Sequence, residues 1–396
     1  MITLLTTPAE IQPVYNPIYI RCLSNNTTNY GFKFIFDLYV NGLFVNRVKL
    51  SPRPSSTNTI YSPARVLETY LTFDNPINIT SGSTAVNAIT LYSVKIGEEY
   101  GSAATGTTIY SGLTTTTGYT FNAVIQYPDV PTWDYLNYVV ATGTTKSFLT
   151  NSPSSKLIRD DERETIGIIY TNVSLLYTDV FVNVTITEIT GGTINQQKSI
   201  YTSISGGTLI HTIGTGIWNL NSWLTTNIDP LLHSKYTVNI VVSDINNDTI
   251  ASETKTYVLD TQCTKYDVTR FMFLNSLGQF DYFTAKMFNK KNIAIERVRY
   301  KKVLDYNYSV GARGRSILNI TASQTHSVTS DWITTATSEW LTELFLSQEV
   351  YIVENGVIIP IDINNNSIDV KRTENEKLIN YTFDYSLSND INTSRG

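Results

Sequence analysis

The chain's imidazole and thiol chemistry rests on three histidines (His211, His233, His326) and two cysteines (Cys22, Cys263), spread over 396 residues. None of them falls in a short-range pair that could hold zinc. There is also no His-Glu-x-x-His helix, no Gly-x-Ser-x-Gly elbow and no Gly-x-x-x-x-Gly-Lys phosphate loop. Gly311-Ala312-Arg313-Gly314-Arg315 is glycine-rich but lacks the Lys-Ser/Thr pair that would hold a phosphate and its magnesium. Asp244–Asp248 and Asp362–Asn366 imitate calcium loops, yet neither has Gly at the sixth position or Glu at the twelfth, so both read as hairpin turns. Paired carboxylates could support glycoside hydrolysis. The densest cluster, Asp160-Asp161-Glu162-Arg163-Glu164, carries its own arginines and reads as a solvated loop. The expectation is a non-enzyme with no catalytic residue, no metal and no cofactor.

Two segments suit binding better than catalysis. Tyr127 to Tyr138 crowds Trp133, Tyr135 and Tyr138 together with Pro128 and Pro131, too broken for a central strand. Such a segment can stack on sugars or anchor a protein interface; the alternative is a loop that covers its own domain's core. The second is basic: Lys286, Lys290, Lys291, Arg297, Arg299, Lys301, Lys302, Arg313 and Arg315, interrupted only by Glu296 and Asp305. Strand alternation places Arg297, Arg299 and Lys301 on one face and Glu296, Val298 and Tyr300 on the other. On a chain of net charge −5 this asymmetry fits an acidic neighbour, passing DNA, or the polar face of a sandwich. The candidate interface residues are therefore Trp133, Tyr135, Tyr138, Arg297, Arg299, Lys301, Arg313 and Arg315.

The elements that must position these groups are strands. Charged residues make up only 16% of the chain, while Thr alone contributes 56 residues and Tyr 26. β-Branched and aromatic side chains fit a pleated, half-buried surface. The expected fold is all-β (mainly β) with a few short helices, arranged as tandem sandwich or barrel-like domains. Three blocks follow: 1–150 with one short helix, 158–260 as a β-sandwich, and 264–396 with a helix at about 335–347.

In the first block Phe32, Phe34, Phe36, Leu38 and Val40 alternate onto one face, and Asn41-Gly42 predicts a type I′ hairpin turn into Leu43–Leu50. Ser62 is expected to cap a helix that starts at Pro63. Residues 101–118 read as a loop or hairpin tip, and 142–156 as a linker. The middle block should hold strands near 165–170, 179–187, 236–242 and 249–259, with Gly191-Gly192 and Gly206-Gly207 as turns. In the third, Trp340, Leu341, Leu344 and Phe345 form a helical stripe. Asn355-Gly356 is a second type I′ signal, and strands are expected near 367–371 and 378–387. No apolar run approaches the roughly 20 residues of a membrane span, and the first residues do not read as a signal peptide, so synthesis in a reducing cytosol is expected.

Several segments together resemble tail-associated structural proteins of phages that infect Bacteroidetes, crAss-like phages among them. One set is Thr7 to Pro17, Phe36 to Gly42 and Ser62 to Glu68; another is Leu277 to Phe283, Ser330 through Pro360, and Lys377 to Phe383. The resemblance touches both ends of the chain and is much less distinct in the middle. It implies a virion tail component, made in the host cytoplasm, that assembles into a ring or hub with copies of itself and other tail proteins. It brings no catalytic residues. A carbohydrate-binding adhesin or receptor-binding tail-tip protein is the alternative.

Overall fold

A computed structural model describes residues 2–101, 108–140, 145–171, 179–202, 208–243, 248–365 and 379–389. The chain is mainly β with a few short helices, as its composition predicts. It forms two compact units, one of Met1–Asp260 with Asn275–Gln279 and one of Thr261–Leu274 with Phe280–Gly396. No helix among the described residues is long and apolar enough to cross a membrane.

Two sheet-on-sheet cores fill the first unit. In one, a five-stranded sheet built around Lys33–Val40 and Ile89–Gly101 faces a three-stranded sheet of Ile2–Thr6, Ile20–Ser24 and Asn58–Tyr61. Phe32, Phe34, Phe36, Leu38 and Val40 all point into it. Asn41 and Gly42 take φ values of 49° and 81°, the positive pair a type I′ turn requires, and Leu43–Leu50 returns antiparallel. In the other, Asp179–Glu188, His233–Ser243 and Lys255–Leu259 bury alternate residues against Thr165–Thr171 and Thr208–Gly214. Thr165–Thr171 is buried on both faces, because Ile169 enters a separate cluster with Phe121, Ile125 and Leu149. The strand Gly82–Thr84 pairs with Thr208–Gly214, so one sheet draws on residues from both sides of the 150–158 region.

Several local expectations need correction. The Thr-rich residues 108–118 belong to a strand, Thr108–Phe121, paired with Ile89–Gly101; Thr116 and Thr120 are buried while Thr115 and Thr117 are exposed. The stretch read as a linker buries Phe148 and Leu149 completely. The first helix spans Ala64–Leu67, with Pro63 at its N-cap and no capping side chain, so Ser62 does not serve as the cap. The acidic cluster is solvated only in part, at Asp160 and Asp161. Glu164 is buried and paired with Lys156, Arg159 reaches Asp260, and the Arg163 guanidinium lies 3.8 Å over the Trp218 ring.

The second unit is a seven-stranded sheet around Thr269–Leu274, Val350–Glu354 and Val357–Ile363. Asn355 and Gly356, at φ 49° and 77°, form the second type I′ turn. The helix expected at 335–347 is two short ones, Thr335–Trp340 and Thr342–Leu346, meeting at Leu341. Thr334 caps the first by accepting from the Thr337 N–H. Trp340, Leu341 and Leu344 are buried in the core with Phe345 packed beside them. Gly206-Gly207, Asp244 to Asn247, Asn366 and the strand expected at 367–371 lie outside the described residues.

Candidate functional site

Trp133, Tyr135 and Tyr138 come together in the first unit, over the small cluster that holds Phe121 and Ile125. The Trp133 ring stacks between Phe121, 6.3 Å away at 27°, and Tyr138, 6.4 Å away at 25°. Its Nε1–H is shielded from solvent and has no hydrogen-bond partner among the described residues. Asp134 starts the short 3-10 turn Tyr135–Asn137 by accepting from the Leu136 N–H at 2.9 Å. The Tyr135 hydroxyl donates to Glu10 Oε2 at 3.2 Å, and Lys146 Nζ donates to the Leu136 carbonyl at 2.6 Å.

Burial, and then the Glu10 carboxylate, raise the Tyr135 phenol; burial, and then Glu253, raise that of Tyr138. Both phenols therefore stay neutral in ordinary buffers. A cleft of roughly 220 Å³ opens beside Tyr135, with Gln12, Pro13 and Trp133 also in its walls. Gln12 Oε1, like Trp133 Nε1, is too shielded to meet a molecule in that cleft. A sugar-stacking platform needs an open ring face, and here Trp133 and Tyr138 stack on each other and Trp133 also on Phe121. The segment is built first as a cover for its own core.

Most of the basic stretch lies on the outbound strand of a long antiparallel ribbon, Phe288–Lys301 with Arg315–Thr329, while Lys286 precedes it and pairs with Asp331. Near its base the return strand also pairs with Thr382–Leu387, from Thr329 back to Thr325. Past that point no third strand pairs with the ribbon among the described residues. At about 3.4 Å per residue, Ile293–Lys301 projects as a two-stranded ladder roughly 30 Å long. The outbound strand has almost no buried position, and its partner is buried only at Val328. The stretch is therefore not the outer face of a sandwich, because Val298 and Tyr300 on the opposite side are exposed too.

Register sorts the ribbon into two unlike faces. Ile293 opposes Gln324, Ile295 opposes Ala322, Arg297 opposes Ile320, Arg299 opposes Ile317 and Lys301 opposes Arg315. Directly opposed residues share a face, so four cations and four isoleucines lie together. The other face sets Ala294 against Ser323, Glu296 against Thr321 and Tyr300 against Ser316. Leu318 is the extra residue of a bulge, which leaves the outbound alternation unbroken.

Arg297, Arg299, Lys301 and Arg315 thus meet on one surface, while Arg313 sits in the tip. None of the five forms an ion pair among the described residues. The tip, residues 302–314, is held by its own turns (Lys302 N–H to the Gly314 carbonyl at 2.9 Å, Ala312 N–H to the Ser309 carbonyl at 2.8 Å). Val303, Tyr306 and Val310 there are 101%, 97% and 104% exposed. Full burial of a large apolar side chain contributes about 1.5–3 kcal/mol, which these residues forgo.

The isoleucines were missed in the sequence. Ile317 and Ile320 join the cations only through the partner strand, and a three-residue spacing across a bulge hides the alternation. Among the described residues, no group of three or more His, Cys, Asp or Glu side chains is placed to share a metal ion. No protein-family model matches the chain, and no curated protein matches it.

Proposed function

We propose that this chain is a non-enzymatic structural protein of a virion, a phage tail component that assembles into a ring or hub by packing of its β-domains. The observation that carries the reading is the ribbon. A two-stranded hairpin is marginal by itself in water, and this one holds out cations and aliphatic side chains with no third strand beside it among the described residues. Large exposed apolar patches mark interaction sites. The sequence resemblance supplies the setting, a tail assembled in the host cytoplasm, and low charge with abundant Thr, Asn and Tyr suits broad polar contacts. Electron microscopy of purified particles carrying a labelled copy tests it. Symmetric density at the tail is expected; absence from particles refutes the virion role.

A carbohydrate-binding adhesin or receptor-binding tail tip is the second reading, favoured by the cleft beside Trp133 and Tyr135. It requires glycan binding that Trp133→Ala abolishes while the fold survives.

A further inference from the structure

We infer that the ribbon docks on the body of a second copy of this chain, arm to body rather than arm to arm. The inference rests on the assembly reading above and adds the contact element, the partner and the symmetry of the contact.

Charge identifies the partner. Residues 286–315 carry nine basic side chains against two acidic ones, +7, which leaves 20 basic against 32 acidic, −12, over the rest of the chain. Each copy thus carries a basic arm and an acidic remainder, and complementary potentials steer encounter and fix register. Nucleic acid is the other polyanion to weigh. The arm's cationic face, however, is interleaved with Ile293, Ile295, Ile317 and Ile320, and its tip ends in Val303, Tyr306 and Val310. Aliphatic rows between the cations suit a protein surface of mixed apolar and acidic character better than a phosphate backbone, which offers no apolar counterpart.

Charge also decides the symmetry. Among the described residues Phe288–Lys301 is the edge of its sheet, an exposed ladder open to pairing with another strand. Pairing this edge with itself about a two-fold axis would lay side by side two strands that each carry Lys290, Lys291, Arg297, Arg299 and Lys301 against a single acid, Glu296. Like charges directly opposite destabilise a sheet. That net repulsion favours contact with a different, acidic part of the neighbour. Such a contact is heterologous, and heterologous contacts close into rings or run on as filaments.

The test uses the full chain and an arm-shortened one, in which Asn-Gly joins Ile293 directly to Gln324 and residues 294–323 are removed. These residues contribute no buried side chain, so unchanged near-UV circular dichroism and thermal unfolding are expected. Analytical ultracentrifugation should find the full chain self-associating, weakened by salt, and the shortened chain monomeric. A mixture should contain complexes of the two, because a chain without an arm still accepts one. The triple variant Arg297→Glu, Arg299→Glu, Lys301→Glu, which removes no backbone, should weaken self-association by about tenfold or more.

A full chain that stays monomeric at high concentration overturns the inference, as does a shortened chain that associates equally well. No mixed complex means that arms pair with arms, which overturns it too. So does an arm-dependent shift of random-sequence duplex DNA in a chain that does not self-associate. Copies that associate arm to body yet are missing from particles refute the virion role and leave this inference standing; a monomer found singly in particles does the reverse.

Discussion

His211 makes the fold acid-sensitive over a defined interval. It lies in Thr208–Gly214, the middle strand of its sheet, opposite Ile168 on one side and Thr84 on the other. Its ring fills the space above Gly82, where a Cβ would stand 2.6 Å from Nε2. The residue is 4% exposed, and that burial lowers its pKa from 6.5 to about 4. In the unfolded chain the imidazole takes a proton near pH 6.5; in the fold it does not until about pH 4. Between those values the unfolded state binds more protons, so stability falls as pH falls. The loss approaches about 3 kcal/mol below pH 4 and is already about 2 kcal/mol at pH 5. Above pH 6.5 it vanishes.

The assay is urea unfolding of the native chain and His211→Asn at pH 7, 6 and 5. Carboxylates titrate alike in both chains, so the difference between the two profiles isolates His211. The variant starts lower at pH 7, having lost the ring's packing, and the gap should close by about 2 kcal/mol by pH 5. Parallel profiles refute the reasoning and mean that the ring accepts its proton in place.

Three further outcomes are expected. In native protein a thiol reagent should modify the exposed Cys263 quickly and Cys22 only after unfolding, since burial pushes the Cys22 thiol up to about 12. Trp340→Phe should cost about 1–3 kcal/mol in urea unfolding, because the buried Trp340 Nε1–H donates to the buried Asp281 carboxylate at 2.8 Å. Two glycines should differ. Gly42→Ala meets open space and is destabilised by about 1 kcal/mol through its φ of +81° alone. A Cβ on Gly216 would lie 2.4 Å from the Glu164 nitrogen and 2.5 Å from the Glu162 carbonyl, so thermal unfolding of Gly216→Ala should fall further.

What could be read from the residues was mostly local. Asn41-Gly42 and Asn355-Gly356 announce their turns because positive φ at two successive positions leaves few residue choices. Phe32 to Val40 announces its strand because large apolar side chains occupy every second position. Thr114 to Thr117 escaped, since threonine is polar by hydropathy yet β-branched, and either of its faces can be buried. Phe148 and Leu149 escaped for the opposite reason: two buried side chains among Ser, Thr and Pro leave no period to detect. The cations at 297–301 were visible with their alternation. What was not visible is that no third strand among the described residues flanks them, a relation between distant segments that no local pattern records.

The pairing of Gly82–Thr84 with Thr208–Gly214 has a consequence for how the molecule is made. At about 5–20 residues per second, a ribosome takes roughly 6–25 s to synthesise the stretch between them. During that interval the early strand waits without its partner, and Ile79, whose carbonyl accepts from Asn219 Nδ2, waits with it. The sheet that holds Gly82–Thr84 therefore cannot be completed until Thr208–Gly214 has left the ribosome. A polypeptide ending at residue 150 would expose the same unmatched edge permanently, and should need a chaperone or aggregate, however plausible that boundary looks on composition.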